Sequence, residues 1–216
     1  MEARGPGRFQ HVSQGSRTDH LSLTALLVSG GKATRLGGLT KTALTVDGVP
    51  LIKRALTAVR GVSPHCPAVV VGDTEGLDDL GHVIHLREDP PFSGPAAAIA
   101  TGVAHVTTEF VAVLAADLPL IDAHTIRVLL DAAGEPDCAV PDCAVAVDPA
   151  GRAQYLTAVW RTRALAEVVS TAEVAHRPAR TLYDRCEWVP VHLEQATTAD
   201  IDTFADAQRF GVDVEG

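Results

Sequence analysis

Four glycines, two lysines and an arginine crowd into residues 30–41, directly after the apolar run Leu26-Leu27-Val28. Glycine lets backbone N–H groups approach an anion closely, and the cations neutralise it. A buried strand that empties into such a loop is a phosphate-binding layout. Two carboxylates could supply the opposite charge. Asp117 stands just after residues 110–115, the most apolar stretch of the chain. Facing a cationic phosphate loop, it suggests Mg²⁺, which takes one or two protein oxygens and the rest from phosphates and water. Asp200 is the second candidate. It shares one face with Asp202 if the segment is extended. Asp202 reads as the N-cap of the last helix, and Asp200 remains open.

The loop fails the commoner nucleotide signatures. A P-loop needs four residues between its first glycine and Gly-Lys-Ser/Thr, but Lys32 is followed by Ala33 and position 26 is Leu. The Rossmann pattern G-x-G-x-x-G is absent, and so is the G-x-S-x-G elbow of α/β-hydrolases.

Strand, turn and helix patterns alternate around these residues. Residues 24–28, 68–71, 82–86 and 110–115 read as strands. Leu51, Ile52, Ala55, Leu56 and Val59 fall on one helical face after Pro50, and Ile126, Leu129 and Leu130 do the same after Asp122, which is placed to cap that helix. The alanine-rich helix at 96–100 has a slim profile suited to close packing on a sheet. It opens with the turn Ser93-Gly94-Pro95, and its first N–H groups are expected to be free for an anion. Residues 144–147, 155–159 and 187–191 read as further strands, 164–169 and 203–210 as helices. The βαβ alternation predicts an α/β fold, a doubly wound, mostly parallel sheet in a three-layer sandwich. Ligands of such sheets bind beyond the carboxyl ends of the strands, where the basic loop, the Gly94 turn and Asp117 all fall.

The totals narrow the function. The chain has 216 residues, 46% hydrophobic and 21% charged, enough for one sizeable core. A formal net charge of −9 argues against a nucleic-acid partner. The basic loop therefore suits a small anion. Cys66, Cys138, Cys143 and Cys186 are scattered and form no C-x-x-C, which points to reduced thiols and a cytoplasmic protein. No apolar run reaches the roughly 18 residues of a membrane span. Residues 1–20 are polar and read as a disordered leader, and residues 21–216 as one domain. A homodimer or another protein partner is left open.

Several segments together resemble the MobA-like nucleotidyltransferases. Gly30-Gly31-Lys32-Ala33, with Arg35, Gly37 and Lys41, is similar to their loop G-G-x-x-x-R-x-G-x-x-x-K. Asp47-Gly48-Val49-Pro50-Leu51 is similar to G-x-P-L, Ser93-Gly94-Pro95-Ala96-Ala97 to the G-P-L-A/G turn, and Ala116-Asp117-Leu118-Pro119 to the metal motif. Gln154-Tyr155-Leu156 resembles Q-P-L, and Asp200-Ile201-Asp202-Thr203 resembles D-x-D-T. The resemblance implies a nucleotidyltransferase that uses Mg²⁺ to move NMP from an NTP to a phosphorylated acceptor. GTP and molybdopterin are the implied pair. Phospholactate, sugar phosphate and methylerythritol phosphate with CTP are the related alternatives, and a non-catalytic nucleotide-binding partner is the other reading. By the same resemblance, the amides of Ser29, Gly30 and Gly31 with the side chains of Arg35 and Lys41 hold the triphosphate. Gly94 and Ala96 border the nucleotide, Asp117 binds the metal and Asp200 is a second ligand. Lys41, Arg35 and Asp117 are the catalytic set. The sequence departs from the family at Thr40, where an acidic residue is usual, at Tyr155, which replaces a proline, and at the bulky Pro90-Pro91-Phe92. These departures bear on the acceptor.

Overall fold

The computed structural model describes residues 22–30, 44–73, 80–134, 141–193, 201 and 204–213. Residues 1–20, Gly31, Arg35, Lys41, Cys138 and Asp200 lie outside that set. The strands are β1 (Leu23–Ser29), β2 (Thr45–Val46), β3 (Val49–Pro50), β4 (Ala68–Gly72), β5 (Val83–Leu86), β6 (Phe110–Ala115), β7 (Cys143–Val147), β8 (Ala153–Arg161), β9 (Trp188–His192) and β10 (Val212–Asp213). The helices are α1 (Leu51–Arg60), α2 (Pro95–Val103), α3 (Ala123–Gly134), α4 (Thr162–Thr171), α5 (Arg180–Tyr183) and α6 (Phe204–Arg209).

Seven strands form one sheet in the order β5-β4-β1-β6-β8-β7-β9. β1 pairs in parallel with β4 and with β6, and β4 with β5. β8 is antiparallel to both of its neighbours, β6 and β7, while β7 and β9 are parallel. The α/β sandwich is therefore mostly parallel, as expected, with one reversed strand. That reversal places the start of β8 at the carboxyl edge, level with the ends of the other strands.

β1 is buried at all seven positions, because both sheet faces are covered. The period-2 pleat sends Leu23, Ala25 and Leu27 into the core shared with α1 and α3. Leu26 and Val28 point the other way, into the core of α2, α4 and α5. The stripe expected for α1 is buried, as are Ile126, Leu129 and Leu130 of α3. Trp160, fully buried, donates its Nε1–H to the Tyr183 hydroxyl at 3.0 Å, and that hydroxyl donates to the Tyr155 carbonyl at 2.6 Å. A small separate sheet, β10-β2-β3, packs Leu44, Val46 and Val212 with Leu51 and Ile201. Sequence patterning missed β10 and α5, which have only two and four residues. Such short pieces carry no readable period.

α2 lies against the sheet as closely as its alanines suggest. A Cβ at Gly102 would stand 2.2 Å from Cδ1 of Leu26 and 3.1 Å from Cγ2 of Val71. Leu26 is fully buried and cannot swing clear. Gly102→Ala is expected to lower unfolding stability by about 1–3 kcal/mol through overpacking, although alanine is the better helix former. Urea unfolding checks this; a stabilised variant would mean that α2 has room to lift.

Candidate active site at the carboxyl edge

The end of β1 is fastened before the phosphate loop begins. The buried Ser29 hydroxyl lies 2.7 Å from the Asp73 carbonyl and 3.3 Å from that of Val71, and donates across to the end of β4. Ser29 is the ladder partner of Gly72. Gly72 holds φ at +122°, and a Cβ there would lie 2.7 Å from the Gly30 nitrogen and 2.9 Å from Ser29 carbonyl carbon. Only glycine lets the two chain ends come so close. The backbone leaving β1 at Gly30 is thereby fixed in direction.

Asp117 is set beside this point from the other flank. β6 ends at Ala115, and the Ala116 N–H donates to the Val28 carbonyl at 3.0 Å, drawing the chain over the end of β1. Asp117 follows, half-buried. Asp122 accepts the Thr125 N–H at 2.8 Å and caps α3 as expected, so Asp117 is not that cap.

Glu88 was not singled out by sequence. It follows β5, is buried, and accepts the Phe92 N–H on Oε1 at 3.0 Å. A Cβ at Gly30 would lie 3.9 Å from that same Oε1, so the carboxylate stands beside the root of the phosphate loop. Its Oε2 has no hydrogen-bond partner among the described residues. A buried carboxylate oxygen left unbonded costs free energy, so Oε2 is an acceptor that a bound group could satisfy. Next to it Arg87 pairs with Asp73 and lies over the Phe92 ring at 5.5 Å. In sequence Glu88 is one acid of a long turn, and its burial appears only with the turn that returns the Phe92 N–H to its carboxylate.

One expectation is corrected. Pro95 has no N–H, and the Ala96 N–H donates to the Arg177 carbonyl at 3.3 Å. Ala96 is also fully buried. Ala96 offers a ligand neither amide nor side chain, so it does not border the nucleotide through either, contrary to the expectation from sequence. Gly94 keeps a reason to be glycine: its φ is +91°, and a Cβ would lie 3.2 Å from the Arg177 carbonyl oxygen. The segment after α4 is thus seated on the Gly94 turn, and the His176 N–H donates to Ser93 O at 2.6 Å. Gly31, Arg35, Lys41 and Asp200, expected at this edge, are among the residues not described.

A family model described as the MobA-like NTP transferase domain matches residues 25–190. The chain is 33% identical over 154 residues to a probable molybdenum cofactor guanylyltransferase of Natronomonas pharaonis, covering 69% of this chain and 73% of that protein. It is 31% identical over 181 residues to the molybdenum cofactor guanylyltransferase of Burkholderia ambifaria, covering 80% and 86%. Among solved structures, a nucleotidyl transferase from Methanothermobacter superposes with a TM-score of 0.69 at 18% identity over 88% of this chain and 96% of that one. The molybdopterin-guanine dinucleotide biosynthesis protein A of Archaeoglobus fulgidus gives 0.63 at 19% over 87% and 96%. These structural likenesses establish the fold.

The Gly72 contact makes a sharp expectation. Gly72→Ala combines a disfavoured φ with a clash against backbone and should cost about 2 kcal/mol or more. Gly151→Ala is the control: its φ is +81°, but nothing lies within 4 Å of the added carbon. Equal losses in thermal unfolding would show that Gly72 matters only through φ.

Proposed function

We propose that this chain, which belongs to the MobA-like NTP transferase family, transfers GMP from GTP to molybdopterin and releases pyrophosphate. What carries the reading is one juxtaposition: the fastened exit of β1 at Ser29 and Gly30, with Glu88 on one side and Asp117 on the other, along a single sheet edge. The named relatives support the acceptor.

The amides of Ser29, Gly30 and Gly31 take the triphosphate, and Arg35 and Lys41 neutralise it. The preference for GTP rests on Glu88. Guanine presents N1–H and an exocyclic NH₂ side by side, a donor edge that a carboxylate can accept, and Oε2 of Glu88 has no partner among the described residues. Asp117 provides a hard carboxylate oxygen at the strand end, the donor type that suits a divalent cation, with Asp200 as a further ligand. Bound Mg²⁺ supplies charge neutralisation on the reacting phosphates. The acceptor's phosphate oxygen forms a bond to the α-phosphorus as the bond to the β-phosphate oxygen breaks, and pyrophosphate leaves with that electron pair. No side chain is needed as a covalent carrier. No helix among the described residues is long and apolar enough to cross a membrane, and we place this enzyme in the cytoplasm.

The test is pyrophosphate release from each NTP with Mg²⁺ and molybdopterin. GTP should be used best. Asp117→Ala should abolish turnover in a protein that still folds, and Lys41→Ala should lose about 10²-fold or more in kcat/KM. Glu88→Gln should lower kcat/KM for GTP about tenfold or more while sparing slow use of other nucleotides. Near-normal turnover by Asp117→Ala would refute the assignment of that carboxylate. Tight GTP binding without release would favour a non-catalytic partner protein.

A further inference from the structure

We infer that the tip of the β7–β8 hairpin, built on Asp148, Arg152 and Gln154, is the binding site for the anionic group of the acceptor; this rests on the nucleotidyl-transfer reading above.

Asp148 follows β7 directly and is buried. One carboxylate oxygen accepts the N–H groups of Ala150 and Arg152, each at 2.9 Å. With the Asp148 N–H to Arg152 carbonyl bond at 3.0 Å, these close the turn. The other oxygen serves no backbone. It accepts Arg152 Nε–H at 2.9 Å and Gln154 Nε2–H at 3.0 Å. The amide and guanidinium of Arg152 hold the Asp148 carboxyl below the usual range, so it stays charged. One buried anion thus orients two side chains that the turn itself does not require.

Those side chains keep their outer atoms unused. The Arg152 side chain is 78% exposed and tethered to Asp148 only through Nε. Its two Nη groups have no partner among the described residues. Gln154 spends an N–H on Asp148, and its Oε1 accepts nothing among the described residues. The result is a prepositioned guanidinium fork beside an amide acceptor. A fork of this kind matches two oxygens of a phosphate monoester, and the amide oxygen matches an N–H or O–H donor on the same molecule.

The hairpin is also in the right place. The β6–β8 ladder ends at Leu114 and Thr157. Gln154 stands three residues further along β8, and Asp117 two residues beyond the end of β6. β1 and the Gly30 exit lie on one flank of β6, and β8 lies on the other. In-line displacement requires the attacking oxygen and the leaving pyrophosphate on opposite sides of the α-phosphorus. With the triphosphate over β1, the attacker enters from the β8–β7 side, where Arg152 waits.

The experiment is steady-state kinetics of full-length protein, with molybdopterin varied at saturating Mg-GTP and GTP varied in turn, alongside direct GTP binding. Arg152→Gln is expected to raise the KM for molybdopterin about tenfold or more and to leave the Kd for GTP within about twofold. Arg152→Lys should recover part of the loss, and Gln154→Ala should raise the same KM. A merely structural turn would instead lower the melting temperature and weaken both substrates together. An unchanged molybdopterin KM in Arg152→Gln, with wild-type turnover intact, overturns the hairpin assignment alone. Wild-type protein that binds GTP yet gives no pyrophosphate with molybdopterin overturns the acceptor reading and this inference with it.

Discussion

The close approach of β1 and β4 at Gly72 governs the site. Ser29 and Gly30 must leave a strand whose neighbours on both sides are already paired. With no side chain at Gly72, the two backbones pass within a distance that a Cβ would forbid. The Ser29 hydroxyl then ties the ends together through the Asp73 carbonyl. A phosphate cradle made of amides works only if those amides are held in advance, because reorganising them on binding would cost the affinity they supply. Rigidity at the root of the loop is the condition for everything beyond it.

From that root the edge divides by strand order. The strands on the β4–β5 side bring Glu88 and the Arg87–Asp73 pair next to Gly30. β6 brings Asp117, pulled inward by the Ala116 to Val28 hydrogen bond. The antiparallel β8 returns a hairpin to the same edge, something no parallel strand could do without a crossover. The order β5-β4-β1-β6-β8-β7 thus sets Glu88, the exit of β1, Asp117 and the β7–β8 hairpin side by side along one edge, as the proposed division into a nucleotide side, a metal carboxylate and an acceptor side requires. The Gly94 turn is tied to the segment after α4 through the Arg177 carbonyl and the Ser93 carbonyl. It frames the edge, and the Ala96 amide is used for that.

How much of this can be read without coordinates depends on the range of the interaction. β1, β4 and β6 announce themselves because burial on both faces forces continuous apolar runs. α1 and α3 do so because one face must be apolar at helical spacing. Asp117 is legible because it directly follows such a run. Gly72 is not, because its need for glycine arises from Ser29, 43 residues earlier in the chain, across a strand pair. Glu88 is invisible for a similar reason: an acid among prolines looks like a solvated turn until Phe92 and Gly30 close around it. Ala96 misled in the opposite way. A glycine-proline turn opening a helix signals free amides, but the partner that occupies the Ala96 amide is Arg177, far along the chain. The reversed direction of β8 leaves no trace in its own composition.

The central claim is spatial: the triphosphate lies over the exit of β1 and its metal sits on Asp117. A crystal structure with Mg²⁺ and a GTP analogue carrying a non-hydrolysable bond between the α- and β-phosphates tests it most directly. The account predicts phosphate oxygens within hydrogen-bonding distance of the Ser29–Gly31 amides, the metal on Asp117, and guanine N1–H and NH₂ facing Glu88. Phosphates bound away from β1, or a metal that does not touch Asp117, would contradict it.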